Sequence, residues 1–372
     1  MTPRICMPSW RQFTRRLYQC SLYEAQDVLH DAANVDLICL EPNKGFRLRD
    51  TWHRRLLYHD ISKQLVSVNP GLKRVRLTED YDVFVVLCQN YEEILYLSAI
   101  DGWKDRCKTS ICLIEEMWTA SIPTYQPWLH ALQQFDHVFL ITGDSAAALS
   151  KATGRPCHGI PSAVDALRFS PRPQPPLKRT IDVFSIGRRP AGVHASLAAM
   201  AARGEIFYIH DTAHIATADA YDHREHRDML ANVAKRANTF LVAPAKASAT
   251  EETQGQVEIG NRFYEGAAAG CVMIGQKPDS DLFRRLFDWP DAVVDVRPDG
   301  SDVADAVRSL CGDQSRLARI GQRNATEALL RHDWIYRWRE ILRIAGFPPS
   351  AGMVAREERL TRLANSMELV CS

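Results

Sequence analysis

Asn261-Arg-Phe-Tyr-Glu-Gly-Ala-Ala-Ala-Gly-Cys-Val-Met-Ile274 falls into two halves. Arg262 to Ala269 reads as a short helix. Phe263, Gly266 and Ala267 share one face at helical spacing, and Ala267 to Ala269 have the highest helix propensity available. Gly270 stops it, because glycine takes the left-handed position after a helix without a Cβ penalty. Cys271 to Ile274 is then a short apolar run suited to a buried parallel strand. The small residues at 266 to 270 let backbone pass close to a bulky ligand. Glu265 sits inside this segment and needs a partner, since a lone buried carboxylate is expensive.

The same alternation continues outward in both directions. On the N-terminal side, Arg11 to Ala33 reads as one amphipathic helix and Val35 to Leu40 as the first strand. The loop Asn43 to Arg47 follows at that strand's carboxyl end, the edge where open α/β sheets bind ligands; Lys44 and Gly45 meet an acceptor or a phosphate there, or form an ordinary solvated turn. Strands follow at Asp82 to Cys88, Ser110 to Ile114, His137 to Ile141 and Pro156 to Ile160, with helices between them. Glu115 and Glu116 stand together at a strand end, as acid/base candidates with raised pKa values or as members of a salt-bridged loop. The prolines at 171, 173, 175 and 176 mark a stiff linker. Beyond it, strands at Ile181 to Ile186, Ile206 to Ile209, Thr239 to Ala243 and Asp291 to Val296 alternate with helices. Gly187-Arg188 lies between a strand and a helix N-terminus, a place for anionic phosphate. The GxGxxG fingerprint is absent, which argues against a dinucleotide-binding enzyme.

Composition narrows the class. The chain has 372 residues, 46% hydrophobic and 24% charged, which implies a large core and about two domains. Its net charge of +1 provides no global basic field, so no nucleic-acid partner is expected. The ten cysteines are scattered, which reads as reduced packing residues rather than a disulfide frame. There is no leader-like apolar segment and no long apolar run, so a cytoplasmic location is expected. Arginines at 11, 15, 16, 47, 49, 54 and 55 give the N-terminal half a cationic face suited to peripheral contact with the inner face of a membrane. His223 and His226 read as surface histidines, with no third metal ligand.

Three stretches carry a resemblance. Arg262-Phe-Tyr-Glu265 with Gly266 to Gly270 and Val272 to Ile274 resembles the nucleotide-binding signature of GT-B glycosyltransferases of the group 1, family 4-like type. Gly159-Ile-Pro-Ser-Ala-Val-Asp-Ala-Leu-Arg-Phe-Ser-Pro171 resembles the "PxGVDxxxFxP" stretch that closes their N-terminal domain; Ala163 replaces the usual Gly. His332-Asp-Trp-Ile-Tyr-Arg-Trp-Arg-Glu-Ile-Leu342 resembles their terminal helix, which crosses back onto the N-terminal domain. The resemblance implies a GT-B fold of two Rossmann-like doubly wound domains facing across a cleft. An acceptor domain spans 1–170, a Pro-rich linker 171–178, a donor domain 179–345 and a helical tail 346–372. The tail carries a charged helix at Arg356 to Leu363, either an interface or solvated.

The implied activity is transfer of a sugar from a nucleoside-diphosphate-sugar to a glycan, lipid-linked or small-molecule acceptor, retaining and independent of metal and cofactor. The resemblance assigns Gly187, Arg188, Lys246, Arg262 and Glu265 to the donor, with Arg188 and Lys246 on the diphosphate and Glu265 on the ribose hydroxyls. Glu115, Glu116 and Glu258 are the catalytic candidates; Glu258 is one residue short of the family's usual spacing to Glu265. Asp80-Tyr-Asp82 and Asp279-Ser-Asp281 match a metal-binding DxD only by chance. The alternatives are a GT-B-fold nucleotide-sugar epimerase and a non-enzymatic two-domain binding protein.

Overall fold

The computed structural model describes residues 2–58, 67–171, 177–212 and 218–368. Two parallel sheets organise the chain. The first contains β1 (Ile5–Ser9), β2 (Val35–Cys39), β3 (Tyr81–Asn90), β4 (Cys107–Glu116), β5 (His137–Leu140) and β6 (Cys157–Gly159), in the order β2-β1-β3-β4-β5-β6. The second contains β7 (Ile181–Ser185), β8 (Tyr208–His210), β9 (Ala237–Val242), β10 (Val272–Gly275) and β11 (Val293–Asp295), in the order β8-β7-β9-β10-β11. The helices that matter below are α1 (Cys20–Ala32), α2 (Phe46–Tyr58), α3 (Ala191–Ala202), α4 (His223–Ala234), α5 (Asn261–Ala268), α6 (Gln314–Arg331), α7 (Trp334–Ile344) and α8 (Ala351–Glu368). Both sheets are doubly wound, and strand order reverses between β1 and β3 and between β7 and β9. Those switch points open crevices at the carboxyl edges.

The stretch around Gly270 folds as its residues require. α5 ends just before Gly270, whose φ of 64° is left-handed. Its N–H donates to Ala267 O at 2.9 Å, and the Cys271 N–H donates to Gly266 O at 3.0 Å, which closes the helix end. A Cβ on Gly266 would lie 3.2 Å from Met273 Cγ and 3.3 Å from the Phe240 ring, so the helix rests on the sheet at glycine distance.

Three expectations are corrected. Residues 11–19 do not extend α1; a buried strand, β1, precedes it. Pro8 lacks an N–H, and Cys6 and Met7 are not β-branched, so the run carries little strand signal. Beyond Cys6, β1 pairs with β2 and no longer with β3, so Pro8 does not interrupt a two-sided ladder. The stretch after Asn43 becomes helix α2 rather than a turn alone. The tail is neither solvated nor separate. Met353, Leu360 and Ala364 of α8 are fully buried, and α8 packs on α1 and α6. Residues 172–176 of the expected linker lie outside the described residues.

The two halves are joined firmly at the back. The Trp338 Nε1–H of α7 donates to Ala25 O of α1 at 2.9 Å. Val164 N–H donates to His332 O at 3.0 Å, and Trp334 N–H to Val164 O at 3.1 Å. Arg356 of α8 holds Asp165 at 2.6 Å and Asp333 at 2.8 Å.

The left-handed Gly270 sets a test. A Cβ there would also approach Gly321 O at 3.0 Å. Gly270→Ala is expected to lower stability by about 1–2 kcal/mol in urea denaturation. A loss below about 0.5 kcal/mol would show that the helix end does not depend on that conformation.

Candidate functional site

The two carboxyl edges meet between the lobes. β4 ends on Glu115 and Glu116, which form its last two residues rather than a loop. Opposite them, Gly187-Arg188 follows β7 and Pro244-Ala-Lys246 follows β9, the two strands that flank the switch point of the second sheet. Lys246 Nζ is paired across the lobes with Glu116 and within its own lobe with Glu252. It also lies 5.6 Å from the Trp118 ring centroid. Burial alone would lower the Lys246 pKa; Glu116 and then Glu252 reverse this and raise it. Lys246 has φ 51°, a left-handed conformation that is uncommon outside glycine and that concentrates at functional sites.

The two arginines after Gly187 do different things. Gly187 turns with φ 86°, and its N–H donates to Asp211 Oδ2 at 3.2 Å. Arg189 pairs with the same Asp211 and donates to its carbonyl at 2.9 Å, which braces the turn. Arg188 is exposed and makes no ion pair among the described residues. It lies close enough to help Lys246 hold the Glu252 carboxyl below its ordinary range.

Glu115 points into the same junction. Its Oε1 accepts from Asn261 Nδ2 at 2.9 Å, while its Oε2 is shielded from solvent and has no hydrogen-bond partner among the described residues. Burial, reinforced by Glu116 and Glu93 and opposed by Asn261, raises its pKa to about 7. Glu258 is buried against the first lobe, where its Oε1 accepts from Gln256 Nε2 at 2.7 Å and from the Asp144 N–H at 3.2 Å. Burial raises its pKa to about 7 as well.

Glu265 has both oxygens engaged, one by Arg227 and the other by Arg262. Burial would raise its pKa, but Arg262 and then Arg227 overcome this and lower it. Arg227 in turn grips Glu24 of α1 through Nε at 2.8 Å and Nη2 at 2.9 Å. A Glu24–Arg227–Glu265–Arg262 chain therefore crosses the lobe boundary. Its first three members are almost wholly buried, whereas the Arg262 side chain is 24% exposed. Asn261, next to Arg262, links this chain to Glu115. Contacts and chain neighbours thus link Glu265 to Lys246 through Arg262, Asn261, Glu115 and Glu116.

Several residues in this region escaped the sequence reading. Arg227 and Glu24 are the clearest. The buried residues of α4 are Arg227, Leu230, Ala231 and Ala234, an apolar stripe with one charged member. Glu24 interrupts the stripe of α1 in the same way. A charge on an apolar face was the available signal. Asp27 is a second node between the lobes, accepting from Arg11 at 2.8 Å, His223 at 2.9 Å and Arg224 at 2.8 Å. These partners, chiefly His223 and Arg224, outweigh burial and lower its pKa. His223 is therefore an interlobe residue rather than a surface one.

A cavity of about 680 Å³ is lined from both lobes, and Glu115, Glu116, Arg188, Lys246 and Glu265 are not among its lining residues. The loop after β1 supplies Phe13 and Arg15, the loop after β2 supplies Asn43, the first turn of α2 supplies Arg47, and the second lobe supplies Tyr221.

Comparison with known proteins agrees with this layout. Residues 194–343 match the family described as glycosyl transferase-like. No curated protein sequence matches the chain at a significant level. Among solved structures, an α-glucosyltransferase in complex with UDP and a 13-mer DNA is similar with TM-score 0.57 at 11% identity, covering 91% of this chain and 99% of that one. A UDP-forming α,α-trehalose-phosphate synthase from Burkholderia vietnamiensis gives 0.50 at 12% identity, covering 98% and 100%. HepE of Anabaena in complex with UDP-glucose gives 0.50 at 10% identity, covering 92% and 99%. The fold is GT-B.

Two outcomes follow from this electrostatic arrangement. Arg227→Ala leaves Glu24 and Glu265 buried without their shared partner and is expected to cost about 3–5 kcal/mol in urea denaturation. A cost under about 1 kcal/mol would mean that water replaces the guanidinium. Glu115 binds a proton more tightly folded than unfolded, so its burial penalty is absent below its unfolded pKa of about 4.5 and grows as pH rises to about 7. Glu115→Gln is therefore expected to gain stability relative to wild type at pH 8 but not at pH 4; an equal shift at both would refute the raised pKa.

Proposed function

We propose that this chain, a GT-B glycosyltransferase, moves a sugar from a nucleoside-diphosphate-sugar to an acceptor bound in the first lobe. The observation that carries the reading is the meeting of Lys246 with Glu116 across the lobes, beside Arg188 and Glu115. It brings cations from one switch point against carboxylates from the opposite sheet. The family match is to transferases, which favours transfer over the epimerase and binding-protein readings. The similar structures solved with UDP or UDP-glucose make UDP-sugars the first donors to test.

In this reading Arg188 and Lys246 hold the diphosphate and stabilise the charge that develops as it leaves. They take the place of a metal ion. The diphosphate competes with Glu116 and Glu252 for Lys246, while Arg188 is free to receive it. The ribose diol reaches Glu265 by displacing Arg262, the more exposed of its two partners. Glu115, titrating near neutrality, takes the proton of the acceptor hydroxyl. Glu258 is assigned to the sugar itself. The acceptor occupies the cavity walled by Phe13, Arg15, Asn43 and Arg47. A balanced net charge favours a glycan, lipid-linked or small acceptor over a nucleic acid. Retention of the anomeric configuration remains part of the proposal and is read directly from the product by NMR.

Thermal shift with UDP, GDP and their sugars tests donor binding, since ligand at a hundred times its Kd adds about 2.7 kcal/mol. With the donor identified, Lys246→Ala and Arg188→Ala are each expected to lower kcat roughly 100-fold. Unchanged kcat in both variants would remove the diphosphate assignment. Unchanged nucleotide affinity in folded Glu265→Gln would remove the ribose assignment.

A further inference from the structure

Helix α2 presents an apolar face to solvent. Phe46, His53 and Leu57 point into the first lobe and are buried. Leu48, Trp52 and Leu56 are 66%, 56% and 39% exposed. Their spacing of four residues places them along one side of the helix. Large apolar residues exposed singly are ordinary, but three in register are not.

The charges on this helix divide by face. Arg54 turns inward to Asp50 at 3.0 Å, to Glu92, and to Tyr96 Oη at 2.8 Å, which pins the helix to the lobe. Asp50 is the helix's single acid, so this pairing leaves no carboxylate on the outer side. Arg47, Arg49 and Arg55 are exposed, and none has an acidic partner among the described residues. Arg49 donates to the Lys44 carbonyl. Arg55 lies 5.6 Å from the Trp52 ring centroid. Arginines beside Leu, Trp and Leu on one face match the chemistry of an anionic bilayer surface: acyl chains accept the apolar side chains, and headgroups accept the guanidiniums.

We propose that α2 docks the protein on an anionic membrane surface, with Leu48, Trp52 and Leu56 entering the headgroup boundary and Arg49 and Arg55, which flank that stripe, contacting lipid phosphates. A protein partner for this face would be expected to supply carboxylates and an apolar groove. A bilayer fits this face better, because apolar and cationic side chains lie side by side along one solvent-facing helix. The docking stands apart from the transfer reading, since its test measures lipid binding alone.

The test is co-sedimentation of the full chain with vesicles of phosphatidylcholine alone and of phosphatidylcholine mixed with phosphatidylglycerol, at physiological salt. Binding is expected to the mixed vesicles and to be at least roughly tenfold weaker to the neutral ones. Arg49→Ser with Arg55→Ser is expected to weaken binding to mixed vesicles roughly 30-fold, at about 1 kcal/mol for each arginine. Leu48→Ser, Trp52→Ser and Leu56→Ser together are expected to weaken it at least roughly tenfold. All substituted side chains are exposed, and circular dichroism melts check that the variants fold. Absence of wild-type binding, equal binding to both vesicle types, or unchanged binding in the apolar variant would overturn the proposal. So would sedimentation equilibrium showing a wild-type dimer that the apolar variant converts to monomer, since the face would then join two copies of the chain.

Discussion

A single guanidinium sets how the two lobes meet. Arg227 reaches from α4 to Glu24 on α1 through two hydrogen bonds and to Glu265 on α5 through a third contact, all out of solvent. Such a charge is expensive to bury, and the burial is tolerated only when every partner is in place. The arrangement therefore specifies geometry more than it adds net stability. Any other relative placement of the lobes would separate Glu24 from Arg227, while Glu265 would keep Arg227 and Arg262 within its own lobe. Asp27 repeats the device nearby with Arg11, His223 and Arg224. The crossing of α7 and the seating of α8 on α1 and α6 reinforce it from behind.

With the back of the molecule held, the carboxyl edges of the two sheets face each other, and titratable side chains concentrate there. The carboxyls at this junction fall into two groups. Glu252 and Glu265 stay charged beside cations. Glu115 and Glu258 are pushed to about 7 by burial. Groups of one chemical type pushed apart by their surroundings are how a site obtains both fixed charge and proton exchange near neutral pH. Lys246 stands between two acids at φ 51°, a conformation maintained by its surroundings rather than by its own preference.

The switch points explain why these residues lie together. Each sheet reverses its winding at one crevice, and loops from neighbouring strands diverge there without a helix closing over them. In the second sheet those loops carry Arg188 and Lys246. In the first, the loop after β1 carries Phe13 and Arg15 and lines the cavity. Helix α2 begins at the rim of that cavity, where Phe46 and Arg47 form part of its wall.

Local chemistry in the sequence determined the alternation of strand and helix, the stop at Gly270, the exposed turn at Gly187-Arg188 and the return of the Trp334 to Leu342 helix. Each follows from neighbours a few positions apart, and hydrophobic period and glycine conformation report on that range. The buried strand at Ile5 was not legible, because Pro8 and unbranched side chains conceal a segment whose stability comes from its partners. Lys246, Glu116 and Glu115 were legible as individual residues, but their convergence was not. The partners of Glu265 were equally hidden, since Arg227 is 38 positions away and Glu24 is 203 positions beyond Arg227. Only the packed structure decided which charges meet, because the cost of burying an unpaired charge acts through space and leaves no period in the chain.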